Sequence, residues 1–470
     1  MSMEKVVIVG AGLGGVLLGI LLERASIDYV ILESMPVAKM PLEGGGVIFM
    51  TPQIQPLLRQ LGLLDQLKQL AKPVNRITVL AIEQGRGMQP EVLGEIESGF
   101  LCSRFGYDAL AISRPELYNS LISHIPPSKL HLGKQVADVS FRHFQEHDED
   151  ISKAAACVCT DGSTYEGIII GADGAYSSVR RSLYRQLKDR NMLTAQDREP
   201  MRFASQALVG MTRPLDPERF AWLRKEHSEV RVLVSDGGGH AFTLWCVPMT
   251  ENRLCWMLDE PLAEYHDCPE VEDWSFMVQT ITDTCNRHRM MQSPLEGTLL
   301  GELFEWTPEG TMLSIPREEG FFSRWTYGKI ALMGDACHKA LPYGGQPFAQ
   351  AGYDAVKLAN ALYAHAHAHR LGQGTQTQAG TQVLNWFQQG INDGMAARLR
   401  SYETERRAKA RAAVAGSHRL GELLSRQDWI GKVVRYIVLG YVPQFLLHWI
   451  IAGRFNRDLF PQAAFLPKVI

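Results

Sequence analysis

The sequence predicts an α/β fold in which a nucleotide-binding domain is interrupted by a β-rich domain and followed by a helical C-terminal region. Three observations predict it. Apolar, strand-like runs end in glycine-rich turns near residues 10, 171 and 334. Short β-like runs containing aromatic residues occupy much of the stretch between the second and third turns. Long helix-like segments follow the third turn. Strand-like and helix-like segments therefore alternate next to the three turns, whereas the stretch between the second and third turns is mainly strand-like.

The first turn follows a predicted buried strand, Val6–Val9, and carries glycines at positions 10, 12 and 15. This G-x-G-x-x-G spacing between a strand and a helix is typical of Rossmann-like dinucleotide-binding domains. Gly10 permits the tight turn, Gly12 lets a pyrophosphate approach the backbone, and Gly15 lets helix and strand pack closely. Glu33 ends the next apolar strand, where it can accept a hydrogen bond from a ribose hydroxyl. The sequence therefore predicts that this chain binds a dinucleotide.

Two later strand ends extend the same domain. Gly167–Arg180 contains a short apolar strand, an Asp-Gly turn and the start of a helix, and Gly328–His338 contains another strand that ends in Gly-Asp. Because the strand ends are far apart in sequence, we predict one nucleotide-binding domain built from discontinuous pieces, residues 1–181 and 326–370.

Residues 182–325 are predicted to form an inserted β-rich substrate domain. Its polar and aromatic residues are the candidates for substrate contact: Arg202, His240, Trp245 and Trp256, with Arg202 and His240 taken as the catalytic candidates. Three of them have a specific ordinary alternative, since Trp245 and Trp256 suit a core and His240 suits the surface end of a turn.

Alternation along residues 240–245 divides this strand between two faces. His240, Phe242 and Leu244 share one face, and Ala241, Thr243 and Trp245 share the other. The sequence leaves open which face meets the cofactor.

The C-terminal part begins with a low-complexity stretch, residues 371–382, that we predict to be a flexible loop. Residues 383–470 are predicted to be helical, and residues 429–452 are the most hydrophobic segment of the chain. Charged and helix-breaking residues interrupt that segment, so two interpretations stay open. It is either a pair of helices packed on the protein or an amphipathic element lying on a membrane surface.

Composition narrows the function classes. A formal net charge of −3 gives no electrostatic reason to expect nucleic-acid binding. The eight cysteines form no C-x-x-C pair, so we expect neither a metal site nor a disulfide framework and favour a reducing, cytoplasmic compartment. The first predicted strand starts within a few residues of the N-terminus, so we expect no cleavable signal.

With these motifs in place, the chain resembles the single-component FAD-dependent monooxygenases, the aromatic-hydroxylase-like flavoproteins, from about residue 4 to the C-terminus. The resemblance implies a FAD-binding domain of the p-hydroxybenzoate-hydroxylase type. Gly44–Pro52 resembles the family's glycine loop near the flavin, and Arg114 resembles the arginine that begins a helix against FAD. The form of Gly334–Lys339, the apolar C-terminal helices and the closing Pro461–Pro467 are most similar to fungal members that act on secondary metabolites.

The resemblance implies a set of cofactor-binding residues. It implies that Asp173, Gly174 and Arg180 serve both FAD and NAD(P)H, that Asp335 holds the FAD ribose, and that His338 is structural or close to the flavin. The full implied set is Gly10, Gly12, Gly15, Glu33, Gly46, Arg114, Asp173, Gly174, Arg180, Gly334, Asp335, Pro342 and Gly345.

The resemblance also implies the chemistry. NADPH or NADH would bind transiently and reduce FAD, and O2 would then form a flavin C4a-hydroperoxide that hydroxylates or epoxidises the substrate. The apolar tail favours a lipophilic substrate of terpenoid or polyketide character. Two alternatives remain: a flavin-dependent reductase or dehydrogenase of the same fold, and a flavin-fold protein that binds a ligand without catalysis.

One departure from the family pattern concerns the loop beside the flavin, where Gly345-Gln346 is followed by Pro347 and Phe348 instead of Gly and small residues. Proline has no N–H, so the flavin would lose a donor if that group faces it. Alternatively, Pro347 lies at the first position of a helix, where its N–H would be unbonded anyway. We favour the helical interpretation.

Overall fold

The computed structural model describes residues 4–38, 40, 45–82, 90–141, 155–235, 241–268, 277–372, 394–426, 429–453 and 461–468. Its strands are β1 (Val6–Val9), β2 (Tyr29–Leu32), β3 (Val47–Met50), β4 (Ala71–Ile82), β5 (Glu91–Glu97), β6 (Ala109–Ser113), β7 (Leu130–His131), β8 (Val136–Phe141), β9 (Ala155–Cys159), β10 (Thr164–Gly171), β11 (Arg202–Met211), β12 (Ser228–Ser235), β13 (Phe242–Pro248), β14 (Leu254–Asp267), β15 (Leu313–Phe321), β16 (Thr326–Tyr327), β17 (Ile330–Leu332) and β18 (His338–Lys339). Its α-helices are α1 (Leu13–Arg24), α2 (Gln55–Gln60), α3 (Leu64–Leu70), α4 (Phe100–Phe105), α5 (Arg114–Ile122), α6 (Ser178–Asp189), α7 (Met277–His288), α8 (Leu300–Glu305), α9 (Gln346–Gly372), α10 (Met395–Ser425), α11 (Trp429–Gly440) and α12 (Gln444–Ala452).

The first sheet is the predicted nucleotide-binding sheet, with strand order β16-β17-β10-β1-β2-β7. Strands β17, β10, β1, β2 and β7 run parallel to one another. Every residue of β1 and β2 is buried, as expected for parallel strands covered on both faces. The three predicted strand ends follow β1, β10 and β17, which are neighbours, so parallel pairing brings the three turns to one edge.

The second sheet has the order β18-β15-β11-β14-β13-β12-β4-β6-β3, with β5 beside β4. Strand pairs are antiparallel except for β12 and β4. Strands β3 to β6 come from residues 47–113, which precede the predicted inserted domain of residues 182–325. The sheet therefore joins chain from both sides of the predicted boundary at residue 181, and the division into those ranges stays a prediction.

The two faces of the second sheet bury different cores. One face, with Leu244, Trp256 and Leu258, packs under α7 and α8 in the cluster that contains Leu300 and Leu303. The opposite face carries Val232, Val247, Cys255 and Trp245 and packs against Tyr343 and Leu424. The face that carries Trp245 is therefore the one directed toward the turn before α9 and toward α10.

The C-terminal helices pack against the rest of the protein. Helix α9 packs against α1 and α10, and α10 also contacts β15, β18 and β13. Residues 371 and 372 of the predicted loop belong to the end of α9, whereas 373–382 lie outside the described residues. Helices α11 and α12 follow, with their axes bent by 103° at the break between them.

None of the described helices alone is long and apolar enough to cross a bilayer. Helices α11 and α12 meet the length and hydropathy requirement only when taken together as a bent pair.

Candidate functional site

The turn after β1 has the geometry of a pyrophosphate cradle. Gly10 has φ = +100°, and a Cβ there would lie 2.6 Å from the carbonyl oxygen of Ala172. A Cβ on Gly15 would lie 2.1 Å from the carbonyl oxygen of Gly10, so helix and strand touch there. A Cβ on Gly12 would meet nothing within 4 Å, although Gly12 caps α1. The close packing at this turn therefore requires glycine at positions 10 and 15. Gly12 instead leaves open space at a helix N-terminus, which suits the phosphates of FAD.

Glu33 sits beside this turn. Its Oε2 accepts a hydrogen bond from the Ala11 N–H at 2.7 Å, and its Oε1 accepts from the Met35 N–H at 2.9 Å. These bonds fix the carboxylate at the end of β2 with lone pairs remaining for a ribose hydroxyl. Ribose contact by Glu33 stays a prediction.

Arg114 begins α5 directly after β6, and its N–H donates to the Gly46 carbonyl at 2.9 Å. Its side chain is exposed, and no carboxylate among the described residues pairs with it. Burial raises the pKa of Tyr118 to about 12, with the charge of Glu33 adding to the rise and that of Arg114 opposing it. Glu33 and Arg114 are therefore both close to Tyr118. We use the name predicted cofactor groove for the turns after β1, β10 and β17 together with Glu33, Arg114 and the turn before α9.

The Asp-Gly turn after β10 is held by its own aspartate. Asp173 accepts hydrogen bonds from the hydroxyls of Ser177 and Ser178 at 2.6 and 3.0 Å and from the Val179 N–H at 3.1 Å. Gly174 has φ = +77°, which the turn requires. The carboxylate thus caps the start of α6. Its contact with FAD or NAD(P)H, which the family resemblance implies, stays a prediction.

Arg180 joins the second strand end to the third. Its guanidinium is buried and donates to the carbonyls of Ala336 at 2.8 Å and Ala175 at 2.5 Å, with Phe322 stacked against it at 4.1 Å. These contacts position both turns relative to one another. The cofactor contact implied for Arg180 would be in addition to this positioning role and is untested.

The Gly-Asp turn after β17 presents Asp335 at the same edge. Gly334 has φ = +60°, and Asp335 pairs with Lys339 at 2.8 Å while its side chain is 32% exposed. The Gly334 N–H donates to Oδ2 of Asp354 at 2.9 Å. A buried acid on α9 therefore holds the turn that carries the predicted ribose-binding aspartate.

That acid belongs to a buried network that the sequence did not reveal. Asp354 is fully buried and also bonds Nε2 of His338 at 2.6 Å and Nε of Arg406 at 2.7 Å. The predicted structural role of His338 agrees with this contact. Cys337, His338 and Asp354 place their possible ligand atoms within 4.8 Å of one another. Since both oxygens of Asp354 accept hydrogen bonds and burial raises the pKa of Cys337, we describe the group as a hydrogen-bond network.

The last part of the groove is the turn before α9. Gly345 has φ = +64°, and a Cβ there would lie 2.8 Å from Cγ2 of Thr51 on the chain after β3. Pro342 precedes this turn and Pro347 is the second residue of α9. The first turn of a helix has no partners for its N–H groups, so proline removes no helical hydrogen bond there. Pro347 therefore lies in the first turn of α9, one residue after the first helical position that the sequence favoured.

The substrate candidates lie in different places. Arg202 forms an exposed ion pair with Asp267 at 3.0 Å, and His240 lies outside the described residues, so the catalytic role of each stays a prediction. Trp256 is fully buried and its indole N–H donates to Thr307, which agrees with the core alternative. The ring of Trp245 lies 5.8 Å from the ring of Tyr343, which belongs to the turn before α9.

Known proteins are similar in sequence to this chain. Residues 3–298 match the family described as FAD binding domain. A FAD-dependent monooxygenase of Penicillium brasilianum, ausM, is 27% identical over 392 residues, which cover 82% of this chain and 75% of that protein. The FAD-dependent monooxygenase penE of Penicillium thymicola is 25% identical and covers 99% of this chain and 88% of its own length.

Solved structures share the fold. HpxO of Klebsiella pneumoniae, complexed with FAD and uric acid, has a TM-score of 0.68 at 22% identity and covers 96% of this chain and 95% of its own. The 2,6-dihydroxypyridine-3-hydroxylase of Arthrobacter nicotinovorans has a TM-score of 0.64 at 16% identity and covers 100% of this chain and 98% of its own. The expected α/β fold of the p-hydroxybenzoate-hydroxylase type is confirmed.

Proposed function

This chain belongs to the FAD binding domain family, and on that premise we propose that it is a monooxygenase that uses NAD(P)H and O2 to hydroxylate or epoxidise a lipophilic small molecule. The observation that carries the proposal is that three strand ends meet at one edge of the first sheet, beside the open backbone of Gly12. The names of the fungal relatives support the monooxygenase assignment.

The residues of the groove would divide the binding of FAD among them. Gly12 and the N-terminus of α1 receive the pyrophosphate, Glu33 and Asp335 accept hydrogen bonds from ribose hydroxyls, and Arg114 supplies a positive charge. FAD, when bound, supplies the two-electron chemistry and the activation of O2. The turn before α9, through Gly345, would bring backbone N–H groups and the helix N-terminus to the flavin ring.

The overall reaction balances with one external reductant. NAD(P)H and a proton supply two electrons and two hydrogens; one atom of O2 enters the substrate and the other leaves as water. The chain's own part is to orient the substrate and to exclude water. The second sheet suits this task, because the face that carries Trp245 is built on a buried apolar cluster that contains Val232, Val247 and Cys255.

Two other functions can be separated from this one. A reductase or dehydrogenase of the same fold would transfer electrons to or from its substrate without O2. A ligand-binding protein without catalysis would fail to oxidise NAD(P)H. The position of Pro347 in the first turn of α9, where no N–H is needed, supports an intact flavin loop and so favours a catalytic protein.

The first experiment is the absorption spectrum of the protein after incubation with excess FAD and desalting. About one FAD per chain is the expected result. NADPH and NADH oxidation is then followed with lipophilic candidates, with and without O2. Substrate-stimulated oxidation that requires O2 and yields a product heavier by one oxygen atom supports the proposal. Oxidation that continues unchanged without O2 contradicts it and identifies the reductase alternative.

We also propose that α11 and α12 lie on the surface of an anionic membrane. Their outward faces are apolar and exposed, with Trp429, Tyr441, Phe445 and Trp449 each more than 65% exposed. Residues 429–457 contain four basic residues and no acidic residue. Lys432 is exposed on α11 and complements anionic headgroups, whereas Arg435 is buried and donates to backbone carbonyls of α10. Tryptophan and tyrosine are the side chains that favour the bilayer interface. A lipophilic substrate would then be available from the membrane itself.

A further inference from the structure

A cleft opens between α4 and α12, beside the exposed apolar side chains of α12. Its volume is about 520 Å³, within the range of about 300–1,000 Å³ that small-molecule sites occupy. The described residues that line it are Arg104 of α4 and Phe445, Leu446, His448 and Trp449 of α12. None of these lining residues is acidic, so one guanidinium and one imidazole stand among apolar side chains.

Both ends of α12 are held by the rest of the protein. At its C-terminal end, Ala452 packs in a buried cluster with Leu101 and Phe105 of α4. At its N-terminal end, Nε2 of Gln444 donates to the Glu95 carbonyl on β5, with 2.5 Å between the two atoms. Because both ends are fixed, the side chains in the middle of α12 have a defined position along the cleft.

His448 keeps unused hydrogen-bonding capacity at this cleft. Its ring stacks on Phe100 of α4, with the two ring centres 4.1 Å apart. Its Nε2 is buried and has no hydrogen-bond partner among the described residues. A buried polar atom without a partner costs about 1–3 kcal/mol. Because the ring as a whole is partly exposed and lines the cleft, a ligand there can supply the missing partner.

Arg104 supplies the positive charge of the cleft. It lies in the last turn of α4, which ends at the left-handed residue Gly106. Arg104 is exposed, and its guanidinium carbon lies 5.8 Å from the centre of the Phe105 ring. A guanidinium donates two parallel N–H groups, a geometry that matches two oxygens of a phosphate. The α4 side of the cleft is therefore suited to an anion.

The apolar walls of the cleft are themselves exposed. Phe445 and Trp449 are 68% and 69% exposed, and Leu446 is 40% exposed. Positions 445, 448 and 449 are three and four residues apart, so their side chains share one face of α12. A ligand in the cleft would therefore have its polar group near Arg104 and His448 and its carbon chain against the apolar residues of the same helix face.

This combination of groups selects among possible ligands. A free phosphate ion would make no use of the apolar walls, and a neutral lipid would make no use of the guanidinium. The choline group of phosphatidylcholine would place a second cation beside Arg104. An anionic phospholipid satisfies both parts of the cleft, and phosphatidic acid does so best, because its phosphate has a single carbon substituent and so has the most oxygens free to accept.

We infer, on the basis of the membrane contact proposed above, that the cleft between α4 and α12 binds the phosphate of an anionic phospholipid. Arg104 and His448 donate hydrogen bonds to the phosphate oxygens, and the exposed apolar residues of α12 contact the acyl chains. Lipid phosphates lie at the bilayer interface, where tryptophan side chains such as Trp449 also lie. One bound lipid would therefore fix the depth and the orientation of α12 on the membrane.

The experiment is isothermal titration of the full-length, FAD-loaded protein with dihexanoylphosphatidic acid, a short-chain lipid used at concentrations where it is monomeric. The wild type is expected to bind it at least about tenfold more tightly than dihexanoylphosphatidylcholine or inorganic phosphate, the effect of one charge-assisted hydrogen bond. Arg104→Gln should weaken binding of the phosphatidic acid by about tenfold or more. His448→Phe, which keeps an aromatic ring against Phe100, should weaken it by about threefold to tenfold.

Lys432→Gln is the matched control, because it removes one exposed positive charge from the neighbouring helix α11 without altering a residue that lines the cleft. It should leave the affinity for the monomeric lipid unchanged. Equal weakening by Arg104→Gln and Lys432→Gln would show that only the overall charge matters and would overturn the site. Equal binding of the two lipids by the wild type would overturn it as well. Inorganic phosphate that binds as tightly as phosphatidic acid would mean that the ligand is not a lipid.

Failure of this inference and failure of the proposed function give different results. The FAD content and the NADPH oxidation of the same preparation test the monooxygenase function, and sedimentation with anionic vesicles tests the membrane contact. A protein that passes these tests but does not distinguish phosphatidic acid from phosphatidylcholine retains both functions and lacks this lipid site.

Discussion

Nε2 of His338 lies 2.6 Å from Oδ2 of Asp354, and both side chains are at most 2% exposed. The other oxygen of Asp354 accepts a hydrogen bond from Arg406 at 2.7 Å. The contact therefore ties the Gly-Asp turn to α9 and, through Arg406, to α10. Because the same carboxylate holds the Gly334 N–H, the shape of the turn depends on it.

Asp354→Asn should destabilise the protein by about 3 kcal/mol or more, because it leaves the buried Arg406 charge without its counterion. The free energy of unfolding from urea titration measures this. The control is Glu405→Gln, whose exposed pair with Lys357 should contribute less than about 1 kcal/mol. Equal effects of the two substitutions would contradict the structural role given to Asp354.

Acid should destabilise the protein in a defined range of pH. Burial opposes the ionisation of Asp354, but His338 and Arg406 outweigh it and lower its pKa from 3.8 to about 2. Burial likewise opposes ionisation of Glu260, and His288 and Arg287 lower its pKa from 4.5 to about 2. A folded-state pKa below the unfolded value adds stability above the unfolded pKa, and that stability is lost as the pH falls.

We therefore expect the melting temperature to be steady near neutral pH and to fall as the pH drops from about 4.5 toward 2. Asp354→Asn and Glu260→Gln should each make the fall shallower. A melting temperature that falls with the same slope in both variants and the wild type would show that these carboxylates do not control acid stability.

Much of the cofactor groove could be predicted from sequence, because its glycines serve backbone geometry. Gly10, Gly15 and Gly345 occupy positions where a Cβ would meet neighbouring atoms, and such steric demands leave a local pattern in the chain. The parallel strands were equally clear, since burial on both faces requires continuous apolar runs such as Val6–Val9.

The buried polar groups leave a weaker signal in the sequence, or none. Asp354 is a single acid in an apolar part of α9, a pattern that could have marked it as a buried charge. Arg406 is one of several arginines on α10, and its burial depends on how that helix packs. Asp259 and Arg317 both contact Tyr343 and come together through strand order in the second sheet, where β11 lies between their strands. Such long-range pairing leaves no local signal.

Gly12→Val should separate cofactor binding from folding. Gly12 has φ = −64° and open space at its Cβ position, so the variant should fold with a melting temperature within a few degrees of the wild type. The valine side chain would occupy the place of the pyrophosphate, and FAD affinity should fall by about a hundredfold or more. Fluorescence titration with FAD measures the affinity.

The contrasting variant is Gly15→Val, whose Cβ would lie 2.1 Å from the Gly10 carbonyl oxygen. It should fail to fold or should melt far below Gly12→Val. If Gly12→Val bound FAD with the wild-type affinity, the pyrophosphate would not lie at this turn.

Pro347→Gly should leave FAD affinity within about twofold of the wild type, because the first turn of α9 needs no N–H at that position. It should lower the free energy of unfolding by about 0.5–1 kcal/mol through the greater freedom of glycine in the unfolded chain. FAD titration and urea unfolding on the same preparation test both statements. FAD binding that improved tenfold would show that proline removes a donor the flavin needs.

The last prediction concerns membrane contact through α11 and α12. The full-length protein should sediment with vesicles of phosphatidylcholine and phosphatidylserine at about a 3:1 ratio, and less with phosphatidylcholine alone, because the segment is basic. Trp449→Ser should weaken vesicle binding by about tenfold, since burial of a large aromatic side chain is worth about 1.5–3 kcal/mol. Tyr265→Ser is the matched control, since Tyr265 is 67% exposed on β14 and Trp449 is 69% exposed on α12. Retention of the wild type in the supernatant with both kinds of vesicle would mean that this apolar face serves another partner.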